Sequence, residues 1–153
     1  MVLAAASFAQ TSLPSLSGGN VDVQGQKGKV AVLAVGATWL PLSGKQAQFT
    51  NALVKNYSGK NVVFYFIATD STNAKSKNHA TDDRIRQWAA TNKITVNILR
   101  DSDGAAVTKT FAVDQLPAFI VLDKNGGKSE AFTGIDPNYD ITVPIGKKID
   151  SLL

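Results

Sequence analysis

Gly36-Ala37-Thr38-Trp39-Leu40-Pro41-Leu42-Ser43 is the stretch on which the reading of this chain turns. Before it stands Lys29-Val30-Ala31-Val32-Leu33-Ala34-Val35, almost wholly apolar and β-branched. That is the composition of a strand covered on both faces. After it, Leu42, Phe49, Leu53, Val54 and Tyr57 recur at spacings that fit one face of a helix. The helix is expected over residues 43–56, with Ser58-Gly59 as its stop. Ser43 falls at the helix start, where a serine caps or opens the first turn. The other role for Ser43, a nucleophile, needs a general base. The only histidine is His79, far along the chain in a polar segment, and no His/Asp pair can be drawn around Ser43.

Working outward, Val62-Val63-Phe64-Tyr65-Phe66-Ile67 reads as a second buried strand and residues 70–79 as a polar loop. Thr81-Asp82-Asp83 supplies a cap and an acidic first turn to a helix running through Ile85, Trp88 and Ala89. Residues 94–99 read as a third strand, and Arg100-Asp101-Ser102-Asp103-Gly104 as a turn into a short helix through Val107 and Phe111. Residues 118–122 and 128–132, separated by Asp123-Lys124-Asn125-Gly126-Gly127, form an antiparallel hairpin. A terminal helix follows over residues 144–153. On the N-terminal side, residues 21–28 read as a short hairpin leading into the next strand, and residues 12–19, rich in Ser, Pro and Gly, as an irregular arm. Alternating strands and helices imply right-handed crossovers and helices on both sheet faces. The expectation is an α/β fold with a central mixed sheet of about five strands. Residues 1–19 form an arm and residues 20–153 one domain.

A chain of 153 residues can bury a substantial core, and 44% hydrophobic with 18% charged residues is a globular composition. The net charge of +4 is spread over pairs such as Lys27 and Lys29, Arg84 and Arg86, and Lys147 and Lys148. Neither a basic block nor interleaved aromatics is present, which speaks against nucleic acid as a partner. No apolar run approaches the ~20 residues that span a membrane. Met1-Val2-Leu3-Ala4-Ala5-Ala6-Ser7-Phe8-Ala9-Gln10 resembles the tail of a secretory signal peptide, with Ser7 and Ala9 spaced as a cleavage site; the basic n-region is missing, and a short helix is the alternative. The expected location is outside the cytoplasm, in the periplasm or cell envelope. Asp101-Ser102-Asp103-Gly104 has the look of a calcium loop, but residue 112 is Ala where the closing Glu would stand. His79 with Asp82 and Asp83 sketches a metal site that one loop histidine supports poorly. No metal and no cofactor is expected.

The turn at Trp39 resembles the Trp-Cys-x-x-Cys turn of the thioredoxin-like superfamily, with Leu40 at the first Cys position and Ser43 at the second. The chain has no cysteine at all. Gly28-Lys29-Val30-Ala31-Val32-Leu33 and Ala37-Thr38-Trp39 are similar to the exported TlpA/ResA-like branch. Pro41-Leu42-Ser43 resembles the redoxin (AhpC/TSA-type) branch, where a single Cys is often followed by Pro and Ser. Arg100-Asp101-x-Asp103-Gly104 and residues 116–126 resemble later family segments. The resemblance implies a thioredoxin-like fold over residues 21–153 and a family activity of thiol–disulfide or peroxide reduction. It implies that Pro117 is held cis beside the turn, exposing backbone near Leu116 to an extended substrate; the alternative is that Pro117 merely starts a strand. It makes Trp39 and Pro41 part of a partner-facing surface, or Trp39 a partly buried core residue. Gln46 falls where ResA-like members often carry a Glu that tunes the thiols. The peroxidase pattern Pro-x-x-x-Thr/Ser-x-x-Cys is absent, since Leu33 and Ala37 hold its Pro and Thr positions.

A thiolate is the nucleophile in disulfide exchange, and neither Leu40 nor Ser43 supplies one. Three classes of function remain open on the sequence. One is a redox-silent thioredoxin-fold protein that binds an extended peptide or a protein through Trp39, Pro41, Leu116 and Pro117. The second is a thiol oxidoreductase or peroxidase-like redoxin whose single catalytic Cys at position 40 has been replaced in this sequence. The third is a structural domain of a larger assembly.

Overall fold

The computed structural model describes residues 11–153. The signal-peptide reading of residues 1–10 lies outside the described residues. Twelve short segments lie within the described residues, and the turn at Trp39 joins the central strand of the sheet to the helix that follows it. Strand β3 (Val30–Gly36) is buried at every position. Its odd and even residues face opposite ways, as a pleat requires. Val30, Val32 and Ala34 join one core cluster, and Ala31, Leu33 and Val35 the other.

The main sheet has five strands in the order β5–β4–β3–β6–β7. Strands β4 (Val62–Ala68) and β5 (Asn97–Arg100) extend it in parallel, with Val30 opposite Val62 and Tyr65 opposite Asn97. Strands β6 (Ala118–Leu122) and β7 (Lys128–Thr133) add an antiparallel half, so the sheet is mixed. Helices α1 (Ser43–Asn56), α2 (Asp82–Thr91) and α4 (Thr142–Leu152) cover one face through Phe49 and Leu53, Ile85 and Ala89, and Ile145 and Ile149. Helix α3 (Ala105–Phe111) covers the other through Val107 and Phe111. Thr81 caps α2 by accepting from the Arg84 N–H at 3.2 Å. The Asp101 carboxylate caps α3, accepting from the Ala106 and Val107 N–H groups at 3.0 and 2.9 Å; it is a helix cap and no calcium loop.

Four local readings need correction. The segment read as an irregular arm contains strand β1 (Ser12–Pro14), which pairs with β2 (Asn20–Asp22). The hairpin is therefore β1–β2, not a pairing of β2 with the following strand. Leu13 drops into the α3-side core, and the Leu16 N–H donates to the Ile98 C=O at 2.9 Å, covering part of the edge of β5. The third sheet strand begins at Asn97 rather than residue 94, because the Ile94 N–H is spent closing α2 on the Ala89 C=O at 2.9 Å. The last helix begins at Thr142, where the Asp140 carboxylate accepts from the Thr142 N–H at 3.0 Å; Pro144 sits inside the first turn, where no donor is needed. Among the described residues no helix is long and apolar enough to cross a membrane.

Candidate functional site

Gly36 ends β3, and the chain turns through residues 37–42 before α1 begins at Ser43. Asp70 holds the first half of this turn. Its carboxylate, 1% exposed, accepts from the Thr38 N–H at 3.1 and 3.2 Å and from the Thr38 hydroxyl at 2.6 Å. Charge-assisted bonds of this kind are worth about 1.5–3 kcal/mol each. The second half closes on itself: the Leu40 N–H donates to Ala37 O at 3.3 Å and the Ser43 N–H to Leu40 O at 3.0 Å. Ser43 is buried, and its hydroxyl lies 3.4 Å from Thr38 O. It opens the helix but does not cap it, because the cap position is Leu42, which makes no side-chain cap bond. His79 Nδ1 lies 3.0 Å from Ser71 O, and no hydrogen bond joins His79 to Ser43. The geometry gives Ser43 no base.

The side chains left on the outside of the turn are apolar. Trp39 is 50% exposed, Pro41 is exposed, and Leu40 is half-buried yet packs against neither core cluster. Strand register brings the second predicted segment here. Val35 is opposite Ala118, so Pro117 falls level with Gly36 and the Leu116–Pro117 segment leaves the sheet at the same end as the turn. The Leu116–Pro117 peptide bond is cis. Pro117 is buried and Leu116 half-buried, and among the described residues no hydrogen bond engages the Leu116 N–H or C=O. Trp39, Leu40, Pro41, Leu116 and Pro117 thus share one end of the sheet, while Ser43 sits beneath the turn.

Gln46 ties the two segments together from below. It is fully buried, and its amide nitrogen donates to Val35 O at 3.1 Å and to Ala118 O at 3.0 Å. Its Oε1 has no partner and stands over Gly36, where a Cβ would lie 2.1 Å from it. An amide suits this place because both acceptors are carbonyls, which a carboxylate would repel. The signal for Gln46 is a polar residue on the same helical face as Phe49 and Leu53.

The sequence placed Asp70 only in a polar loop and Arg100 only in a turn of family-like sequence, and gave neither a role at the site. Arg100 is buried and donates to Asp82 at 2.8 Å and to the Asp70 C=O at 3.0 Å, fixing the loop that carries Asp70. The available signal for Asp70 is its place directly after a parallel strand, at the end of the sheet where α/β folds set their sites. Among the described residues no group of three or more His, Asp or Glu side chains is placed to hold a metal ion.

Comparison with known proteins agrees with this architecture. The chain is 30% identical over 115 residues to the thioredoxin-like protein YneN of Bacillus subtilis, an overlap of 75% of this chain and 62% of the relative's length. The chain therefore spans less than two thirds of that relative. A secreted Mycobacterium tuberculosis disulfide oxidoreductase homologous to E. coli DsbE has a similar fold, with TM-score 0.72, 20% identity, and 97% and 100% of the two chains covered. A putative thiol:disulfide interchange protein DsbE from Chlorobium tepidum gives TM-score 0.77 at 17% identity, covering 95% and 94%. The exposed lipoprotein thioredoxin of Streptococcus pneumoniae gives 0.73 at 19%, covering 94% and 100%. The fold is thioredoxin-like, and the chain carries no cysteine and so no thiol with which to exchange disulfides. The sequence model of the AhpC/TSA family matches residues 4–127, and the chain belongs to that family.

Proposed function

We propose that this protein is a redox-silent binding member of its family, which takes an extended, apolar peptide or protein segment across the Trp39–Pro41 turn and the backbone at Leu116. The observation that carries the reading is the unpaired N–H and C=O of Leu116 at the same end of the sheet as a half-exposed tryptophan. An extended chain pairs with such backbone as an added strand would, and apolar side chains give it a surface to rest on. Affinity is modest, because the segment must be ordered to bind and no covalent step captures it.

The test is an NMR titration of the full chain with extended apolar peptides. Shifts clustered at Trp39, Leu40 and the residues flanking Pro117 support the reading. No shift there at millimolar peptide leaves Leu40 as a plug in a site that binds nothing.

A second reading has its own observation. The Gly44 and Lys45 N–H groups at the start of α1 make no hydrogen bond among the described residues, which is the environment that activates a thiol. In this reading position 40 held the single Cys of a thiol oxidoreductase or peroxidase-like redoxin. The codon at position 40 in the source gene decides between them.

Export is part of the same proposal. It is supported by the signal-like residues 1–10 and by similar folds described as secreted or as an exposed lipoprotein. Fusion of the chain to a reporter active only outside the cytoplasm tests it.

A further inference from the structure

We propose that a cleft walled by Trp39, Trp88, Lys77, His79 and Arg84 accepts a carboxylate, carried as a Glu or Asp side chain by the extended segment that crosses Trp39. The proposal rests on the peptide-binding reading above and names the chemistry of the partner. The cleft encloses about 240 Å³ and shares the Trp39 wall with the apolar turn.

Its charges are unbalanced in favour of an anion. Lys77 and Arg84 make no salt bridge among the described residues. The nearby acids are already engaged: Asp82 pairs with Arg100 at 2.8 Å and Asp83 with Arg86 at 2.8 Å. Asp70 also lines the cleft, but both of its oxygens accept from Thr38 and it is 1% exposed. Two free cations therefore face one spent, buried carboxylate. His79 adds no donor, because a carbonyl oxygen only accepts and the 3.0 Å contact with Ser71 O uses the Nδ1 proton, which leaves Nε2 of the neutral ring an acceptor. The carboxylate is therefore held by Lys77 and Arg84. The floor is firm, since the Trp88 ring packs on Phe66 with centroids 5.1 Å apart. A segment crossing Trp39 thus leaves an apolar turn and meets a cationic rim. The favoured partner is apolar beside Leu40 and Leu116 and acidic where it reaches Lys77 and Arg84.

The protein has two tryptophans and both line this cleft, so indole fluorescence reads it directly. The probes are end-blocked peptides of Val, Thr and Ala in which one Glu is scanned along the chain, each with its Gln counterpart. N-acetylglutamate serves as the free carboxylate. At its best position the Glu peptide is expected to bind about three- to tenfold tighter than the Gln peptide at ~20 mM salt, the range for two exposed ion pairs, with the difference shrinking at ~0.5 M. In the Lys77→Gln, Arg84→Gln double variant the preference disappears. Its thermal midpoint is expected to stay unchanged, because both side chains are exposed and unpaired. Equal affinity of Glu and Gln peptides at every position, with NMR shifts at Leu40 still present, overturns the carboxylate site and leaves the peptide-binding reading standing. Failure of both peptides to move Leu40 or the indoles removes the peptide reading and this proposal together. N-acetylglutamate binding as tightly as the best peptide overturns the peptide-borne source in favour of a free small carboxylate.

Discussion

Leu40 and Ser43 flank the start of α1, where the Gly44 and Lys45 N–H groups make no hydrogen bond among the described residues. Such N–H groups favour a thiolate. Leu40→Cys should therefore give a thiol whose alkylation midpoint lies below the unperturbed ~8.5; a midpoint at or above that value means the turn no longer activates. The unaltered chain should neither reduce insulin disulfides nor consume peroxide in a metal-free sample, since it supplies no thiolate. Gln46 carries a second test at this scale. Gln46→Glu would place a buried carboxyl against Val35 O and Ala118 O, so its folded pKa rises above the unfolded ~4.3. A raised pKa means the folded state holds the proton longer, so the variant is most stable below the unfolded value and loses stability as pH climbs through the folded one. Urea denaturation of the variant from pH 4 to 8 should show that decline relative to the parent chain; parallel curves would mean the carboxyl finds a donor or reaches water.

Among the elements, the turn between β6 and β7 is tightly held. Asp123 Oδ1 accepts from the Asn125 and Gly127 N–H groups at 2.9 and 3.0 Å, and Gly126 has φ +84°. A Cβ on Gly126 would lie 2.1 Å from Gln24 O, a backbone atom that cannot swing away. Gly126→Ala should cost about 2–4 kcal/mol in chemical denaturation, by combining a left-handed backbone with a backbone clash. A cost under ~0.5 kcal/mol would show that the segment at Gln24 is free to move. The elements that sequence reading located well are those with a strong period or a defined stop: β3, β4, the β6–β7 hairpin, and α1 over Ser43–Asn56. Those it mislocated depend on distant partners. Ser12–Pro14 looks irregular until Asn20–Asp22 and the edge of β5 are brought beside it, and Ile94 looks like strand until its N–H is seen closing α2. The same holds for the site. Trp39, Leu40 and Ser43 were legible as a turn, and Pro117 by family resemblance, whereas Asp70 and Arg100 act through contacts across about thirty residues that no local pattern encodes.

Across the whole molecule, Tyr57 joins the end of α1 to α4, with its hydroxyl 2.9 Å from Gly146 O and 2.8 Å from Asp150 Oδ1. Burial first, and then the Asp150 carboxylate, pushes its pKa from 10.0 to about 12. The folded state keeps this proton where the unfolded chain loses it. The resulting stability is present in full below pH 10 and is lost as pH rises through about 12. Burial raises Tyr65 in the same direction, so Tyr57→Phe should lessen the alkaline loss of stability without abolishing it; an unchanged alkaline limb in thermal unfolding would contradict the assignment. At one end of the sheet apolar side chains lie on the turn, and among the described residues no hydrogen bond engages the Leu116 backbone; the account stands on that backbone being available to a partner. Amide hydrogen exchange at Leu116, with and without a saturating extended peptide, reads it directly. The account predicts fast exchange in the free protein and protection once the peptide is bound. An amide already protected in the free protein, or one unchanged by a peptide that demonstrably binds, would contradict it.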